Sequence, residues 1–578
     1  MLTTLATAAV DIVIFLLLAL SALRLTHAVW IGRPWLGIAL AVVGVAAAGW
    51  LTIMAAIPLG RWVRVLVVVI IVSAAVHVIV TRAWRVLTRE IVVAAALFAA
   101  VAVLYLGVFF LWTSPGDAFH LAQNRFVPFL LPDDNEIPHL LAGRLEQGGS
   151  THALIGGWNG SDRPPLQSGL ILLGQAPWPP GMISENVSSF APSVLAQLLW
   201  VPAAFAVLRG FGARTRVAVP AVVFAAACST MLVNSLFTWP KLLSAALLLC
   251  AVAVLCDGLR RSRPQPFHFV AAVGAATLAL LAHGAAAFAV PFLLVLGILL
   301  LRRFGGAWWK PALVGAAVSI GLYLPWALFQ RFVDPPGDRL LKLQLAGVTE
   351  LDGRPFLTAL AQSYRALTPA EMVDNKLSNL RTFLTPAVFS GFLNSGHDSP
   401  PHNVEEFFYL LPALGVALGV IAALVIVAIL SWTGRWRAAH GAGERARGPI
   451  RVPFAPRPRW NTRGALWPLV LVVPCLLFWC LALFGPHATL NHQGSHFWIV
   501  LLLIVPFAWL QANAPRLALV ALAVQLAITL IYTVPSPTGD PLRPTSLAVA
   551  IVGVLAVAAC WVWAVRPERS GRRPAGNG

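Results

Sequence analysis

Long apolar runs frame this chain, and the polar residues between them are unevenly distributed. Apolar stretches recur at 8–23, 36–58, 63–80, 91–112, 190–208, 217–234, 240–256, 267–282, 285–301, 312–328, 407–431, 465–484, 496–511, 516–534 and 546–565. A run of about 17–25 such residues crosses a hydrocarbon core of roughly 30 Å as a helix. Lipid-facing strands would alternate with a period of two, and these runs do not, which excludes a barrel. The expected fold class is all-α polytopic, with about 15 transmembrane helices and two large extracytoplasmic loops carrying short amphipathic helices. The chain divides into an N-terminal segment 1–112, a first loop 113–189, a transmembrane core 190–328, a second loop 329–406, C-terminal helices 407–565 with a basic linker 432–463, and a tail 566–578.

Composition agrees. At 59% hydrophobic, 11% charged and a mean hydropathy of +0.80, the chain is no soluble globular protein. A net charge of +19 would suggest nucleic acid in a soluble protein. Here 37 of the 41 basic residues are Arg, clustered at Arg82–Arg89, Arg209–Arg216, Arg260–Arg263, Arg302–Lys310, Arg435–Arg463 and Arg566–Arg573. The positive-inside rule reads these segments as cytoplasmic. Alternating the crossings from there puts both large loops and the N-terminus outside; Arg61 and Arg64 fall outside against the trend. The basic linker is Pro/Gly-rich and could touch anionic headgroups, but a solvated topology anchor suits it better. All six Cys lie in or at the ends of apolar runs and form no CxxC motif. The start lacks a positive n-region, so span 1 is expected to remain as a helix, with Asp11 at the interface. The Arg-for-Lys bias with Ala and Val richness suggests a high-GC bacterial source and its plasma membrane.

Acids carry the chemical signal. Of 22 Asp and Glu, 16 fall in the two large loops. The first loop holds Asp133-Asp134-Asn135-Glu136, and carboxylates crowded in this way call for a cation, an Arg or a hydroxyl proton. An Asp at a fixed helix start can act as a general base. Ile137, Leu140, Leu141 and Leu145 recur at helical spacing, with Asp134 or Asn135 as N-cap and Pro138 in the first turn, predicting an amphipathic helix along the membrane surface. Arg163, in Ser161-Asp162-Arg163-Pro164-Pro165, suits a lipid phosphate or Asp162. Arg339 and Lys342, three apart, share a helix face suited to a phosphate or to snorkelling. Lys241 at an outer span end and His283 in a tight outer turn are further candidates for phosphate contact or for purely structural roles. His492 and His496 flank a short outer loop and are placed to share a helix face; contact with sugar or phosphate suits them better than a metal, since no acid or Cys accompanies them.

Asp133-Asp134-Asn135-Glu136, the helix through Leu145-Glu146-Gln147-Gly148, and Arg163-Pro164-Pro165-Leu166 together resemble the GT-C glycosyltransferases, over about 113–330. The resemblance implies an integral membrane enzyme that takes a sugar from a polyprenyl-phosphate carrier and delivers it to a glycan, lipid or protein acceptor of the cell envelope, with membrane lipids as further partners and no nucleic acid. It implies that Asp133 or Asp134 is the base on the acceptor hydroxyl or a ligand of a divalent metal, Mg or Mn. Glu136, Asp162, Arg163, Lys241, His283, Arg339, Lys342 and His492 then become candidates for substrate binding. Two rival classes remain: a transporter or flippase of lipid-linked glycans, which would place charges inside its spans, and a polymerase or ligase of such glycans, which leans on Arg and His. A scaffold without catalysis is a third.

Overall fold

The computed structural model describes residues 1–113, 116–126, 131–179, 181–384, 414–441, 462–492, 494–536 and 539–566. The end of the second loop, 385–406, the start of the expected span 407–431, most of the basic linker and the tail beyond 566 lie outside the described residues. Among the described residues the chain is helical almost throughout. Those residues contain no strand, only two isolated bridges, Trp112 with Leu542 and Ile155 with Trp158.

Among the described residues, eleven helical stretches are long and apolar enough to cross a membrane, or twelve if the pair Thr215–Ala226 and Ser229–Phe237, bent by 68°, is one broken span. Four of the 15 expected spans do not stand as separate long helices in this count. Runs 36–58 and 63–80 join into one stretch, Pro34–Val80, through a single 3₁₀ turn at Gly60–Trp62. Run 217–234 falls on the bent pair. Runs 267–282 and 516–534 become the shorter helices Pro266–Ala282 and Pro515–Ile531, at most 17 residues long. At 1.5 Å per residue such a helix reaches only about 25 Å.

Polar contacts show that Pro34–Val80 doubles back. Arg33 at its start bonds Asp257 at 2.8 Å. Arg64, just past the turn, pairs with Glu146 of the first loop. His77 near its far end bonds Ser21 at 2.9 Å, close in sequence to Leu23, whose carbonyl takes the Trp30 indole N–H at 3.0 Å. The first and last turns therefore share one end of the bundle, and Gly60, at a φ of +51°, stands at the other. Glu146 also accounts for Arg64 sitting against the charge trend.

Helix Lys241–Arg260 is buried along its length and is wrapped by Pro34–Leu59, Trp200–Gly210, Pro266–Ala282 and His496–Asn513. At its C-terminal end Asp257, 1% exposed, accepts from Arg33, Arg261 and His268, and nearby Arg209 pairs with Glu90 at 2.6 Å. Its N-terminal end, with Lys241, faces the first loop.

One residue and one loop depart from their expected surroundings. Asp11 does not face the surroundings of the protein: it is fully buried in helix Leu2–Leu25, and a Cβ on Gly174 would stand 2.9 Å from its Oδ1. Neither carboxyl oxygen has a hydrogen-bond partner among the described residues. The first loop is also less external than its polarity suggests. Helix Leu166–Gln175 is buried at all ten positions and crosses Pro34–Leu59 so closely that a Cβ on Gly169 would meet the Gly49 carbonyl at 1.9 Å. Only glycine permits that crossing.

Candidate functional site

The acidic run forms a 3₁₀ turn, Asp133–Glu136, and the amphipathic helix follows as Ile137–Gln147 with Pro138 in its first turn. The helix ends at Gly148, whose φ of +68° is the left-handed stop that glycine supplies. Its apolar face does not rest on lipid; it packs on Leu166–Gln175 and the Gly60–Trp62 turn. Neither Asp134 nor Asn135 caps it. Asn135 is buried, donating to the Phe119 carbonyl at 3.2 Å and accepting from Gln123 at 2.9 Å. Gln123 also donates to Glu136 at 2.8 Å, which partly offsets the upward push that burial gives the Glu136 carboxyl.

Freed from capping, Asp134 points into the protein. Its Oδ1 accepts the Trp239 indole N–H, and its Oδ2 accepts a guanidinium N–H of Arg163. Asp133, next to it in the chain, is exposed. Arg163 pairs with Asp134 rather than with its neighbour Asp162. The Asp162 Oδ2 accepts the Asn159 backbone N–H at 2.9 Å, and burial raises the pKa of its carboxyl. The Lys241 ammonium lies 3.9 Å from the centre of the Trp239 ring, a cation–π contact in a buried setting. Asp134, Arg163, Trp239 and Lys241 thus form one cluster where the first loop meets the bundle.

His283 and His492 adjoin it, close enough to feel the charges of Lys241 and Arg163. In each ring Nδ1 is an acceptor: from the Ala285 backbone N–H at 3.0 Å in His283, and from the Trp479 indole at 3.2 Å and the Gly494 N–H at 3.0 Å in His492. That fixes the ring proton on Nε2 and leaves a neutral donor there. Burial first, and then the Lys241 charge, push the pKa of His283 well below the usual imidazole value and that of His492 to about 3. His492 and His496 do not share a helix, because Ala488–Asn491 ends before one and His496–Asn513 begins at the other. Among the described residues no group of three or more His, Cys, Asp or Glu is placed to hold a metal ion.

The second loop reaches the first but not as a phosphate clamp. Lys342 is buried, pairing with Asp338 at 2.8 Å and donating to the Asp352 carbonyl at 2.7 Å. Arg339 turns elsewhere. Its guanidinium lies 3.9 Å from the Trp158 ring centre and donates to the Gly157 carbonyl at 2.8 Å, while Arg163 stands 4.8 Å from the same ring. Buried Asp334 accepts from Ser161 N at 2.9 Å and meets His152 at 2.8 Å. Nothing local in the sequence singles out Trp158; the one signal for Trp239 is that it stands in the same Trp-Pro-Lys turn as Lys241.

No protein-family model matches the chain, and no curated protein matches it. Among solved structures, ArnT from Cupriavidus metallidurans in the apo state is similar over 69% of this chain and 76% of its own, at 15% identity and a TM-score of 0.32.

Proposed function

We propose that this chain is a membrane glycosyltransferase of the GT-C kind, moving a sugar from a polyprenyl-phosphate donor to a cell-envelope acceptor on the outer face of a bacterial plasma membrane. The observation that carries the reading is Asp134, a carboxylate at the junction of loop and bundle with Arg163, Trp239 and Lys241 around it. A transfer of this type needs a base and cations in one place. The acceptor hydroxyl attacks the anomeric carbon as the carbon–phosphate oxygen bond breaks. Asp134 takes the hydroxyl proton, and the cations with the Nε2–H donors of His283 and His492 stabilise the departing phosphate. Each Asp134 oxygen keeps a second lone pair for that proton.

Asp133 and Asp134 do not together suit a divalent ion: the Arg163 guanidinium already balances the Asp134 charge, and Asp133 is exposed. No step is therefore assigned to a metal, and transfer is expected to survive a chelator. The decisive test is purified protein with a radiolabelled polyprenyl-phosphate sugar, together with the glycan profile of a deletion strain. Sugar transfer by the wild-type protein, lost in Asp134→Asn, supports the reading; an unchanged envelope and no transfer end it. Buried Asp11 favours a second reading, a transporter, since a lone acid inside a span suits a translocation path. Proteoliposomes that move a lipid-linked glycan across the bilayer without breaking it would select that class.

A further inference from the structure

Two fully buried glutamines lie behind the cluster. Gln167 stands in helix Leu166–Gln175, four residues after Arg163, and Gln197 in Glu185–Leu198; both are 0% exposed. The Gln197 Oε1 accepts the backbone N–H groups of Leu242 and Leu243, each at 3.1 Å. These belong to the first turn of Lys241–Arg260, whose N–H groups have no partner within the helix. Gln197 Nε2 donates to Gln167 Oε1 at 2.8 Å, and Gln167 Nε2 donates to the Thr238 carbonyl at 2.8 Å. The chain of amides has one satisfying orientation. Two N–H donors require an oxygen from Gln197, which turns its nitrogen to Gln167, whose own nitrogen then meets a carbonyl.

Thr238 shows what the clamp holds. Its φ is +63°, a left-handed conformation unfavourable for a β-branched residue, and it immediately precedes Trp239. Strain of this kind persists only where the surroundings over-determine it.

We infer that Gln167 and Gln197 are positioning residues, locking the Thr238–Lys241 turn to the helix that follows Arg163 and so setting Trp239 and Arg163 jointly against Asp134. The inference rests on the reading of Asp134 as the base. One link joins the starts of two helices, each of which brings one Asp134 partner. An apolar residue at either glutamine leaves buried N–H or C=O groups unpaired and frees the turn.

The test uses the full-length protein in nanodiscs, with Gln167→Leu, Gln197→Leu and, as a milder variant that keeps an acceptor for the helix start, Gln197→Glu. Hydrogen exchange at Leu242 and Leu243 is expected to speed up at least about tenfold in Gln197→Leu, with part of the protection restored in Gln197→Glu and no change at the Asp257 end. Unchanged protection at the helix start overturns the clamp. In transfer assays, Gln167→Leu should lower kcat roughly 10–100-fold, as small misplacements at an active site do, with KM nearly constant. Combined with Trp239→Phe it should cost clearly less than the sum of the two single losses, because both changes disturb the Trp239–Asp134 contact. Additive losses would make the pair merely structural and overturn the inference. A wild-type protein inactive on every polyprenyl-phosphate sugar ends the proposed function, while the exchange arm still decides whether the clamp exists.

Discussion

Asp133 and Asp134 are neighbours in the chain with opposite surroundings, one in solvent and the other between an indole and a guanidinium. Sequence could show the pair but not choose within it, because the choice is made by Trp239, more than a hundred residues away. Asp134→Asn should therefore cost about 10²–10⁴-fold in transfer at normal abundance, the usual loss of a general base. Asp133→Asn should stay within about threefold, as an exposed substitution does. Reconstituted transfer assays of the two variants check both outcomes, and full activity in Asp134→Asn would remove it as the base. His139 gives a pH effect on stability. It is 3% exposed and stacked on Phe119 at 4.0 Å, and burial pushes its pKa down to about 4. Below its ordinary value near 6.5 the unfolded chain takes up a proton that the folded one refuses. Its contribution is thus intact above about pH 6.5 and falls as pH drops towards 4, by at most about 1.4 kcal/mol per pH unit. Melting of the detergent-solubilised protein should show this slope, and His139→Phe, which keeps the stack, should flatten it.

Among the elements, helix Ile137–Gln147 was the most legible in sequence. Its apolar spacing, Pro138 and Gly148 all describe local physics, and each held. What it packs on was not legible, since an apolar stripe looks the same against lipid or against Leu166–Gln175. The same ambiguity explains Arg339 and Lys342. Their spacing suggested one face, but only three residues, Arg339–Leu341, are α-helical before a π-turn begins at Lys342, and the two side chains diverge. Arg339 instead joins the loops through Trp158. Truncating it removes a stacked cation worth roughly 0.5–1 kcal/mol where exposed. Arg339→Ala should raise the donor KM by about two- to fivefold with a smaller change in kcat. Arg339→Lys should recover only part of this, because an ammonium cannot lie flat on a ring. A kinetic series across the three proteins measures it, and an unchanged KM would show that the second loop does not support the site.

For the molecule as a whole, charge segregation and structure agree on which groups share an end. Arg33, Arg209, Arg261 and Arg303 gather around Asp257 and Glu90, whereas the acid-rich loops, Gly60 and Lys241 occupy the opposite end. The number of crossings was less legible than the class, since hydropathy cannot see a bend such as that between Thr215–Ala226 and Ser229–Phe237. The positive-inside rule then assigns the arginine end to the cytoplasm. The native cysteines favour a direct test, because all six are buried and should give little background. A cysteine at exposed Ser150, in the first loop, should react with a membrane-impermeant maleimide on intact cells. One at exposed Ser262, in the turn between Lys241–Arg260 and Pro266–Ala282, should react only after the cells are opened. The reverse pattern would put Asp134 on the cytoplasmic side, where nucleotide-activated sugars are at hand and a lipid-linked donor has no advantage, and the proposed reaction would lose its setting.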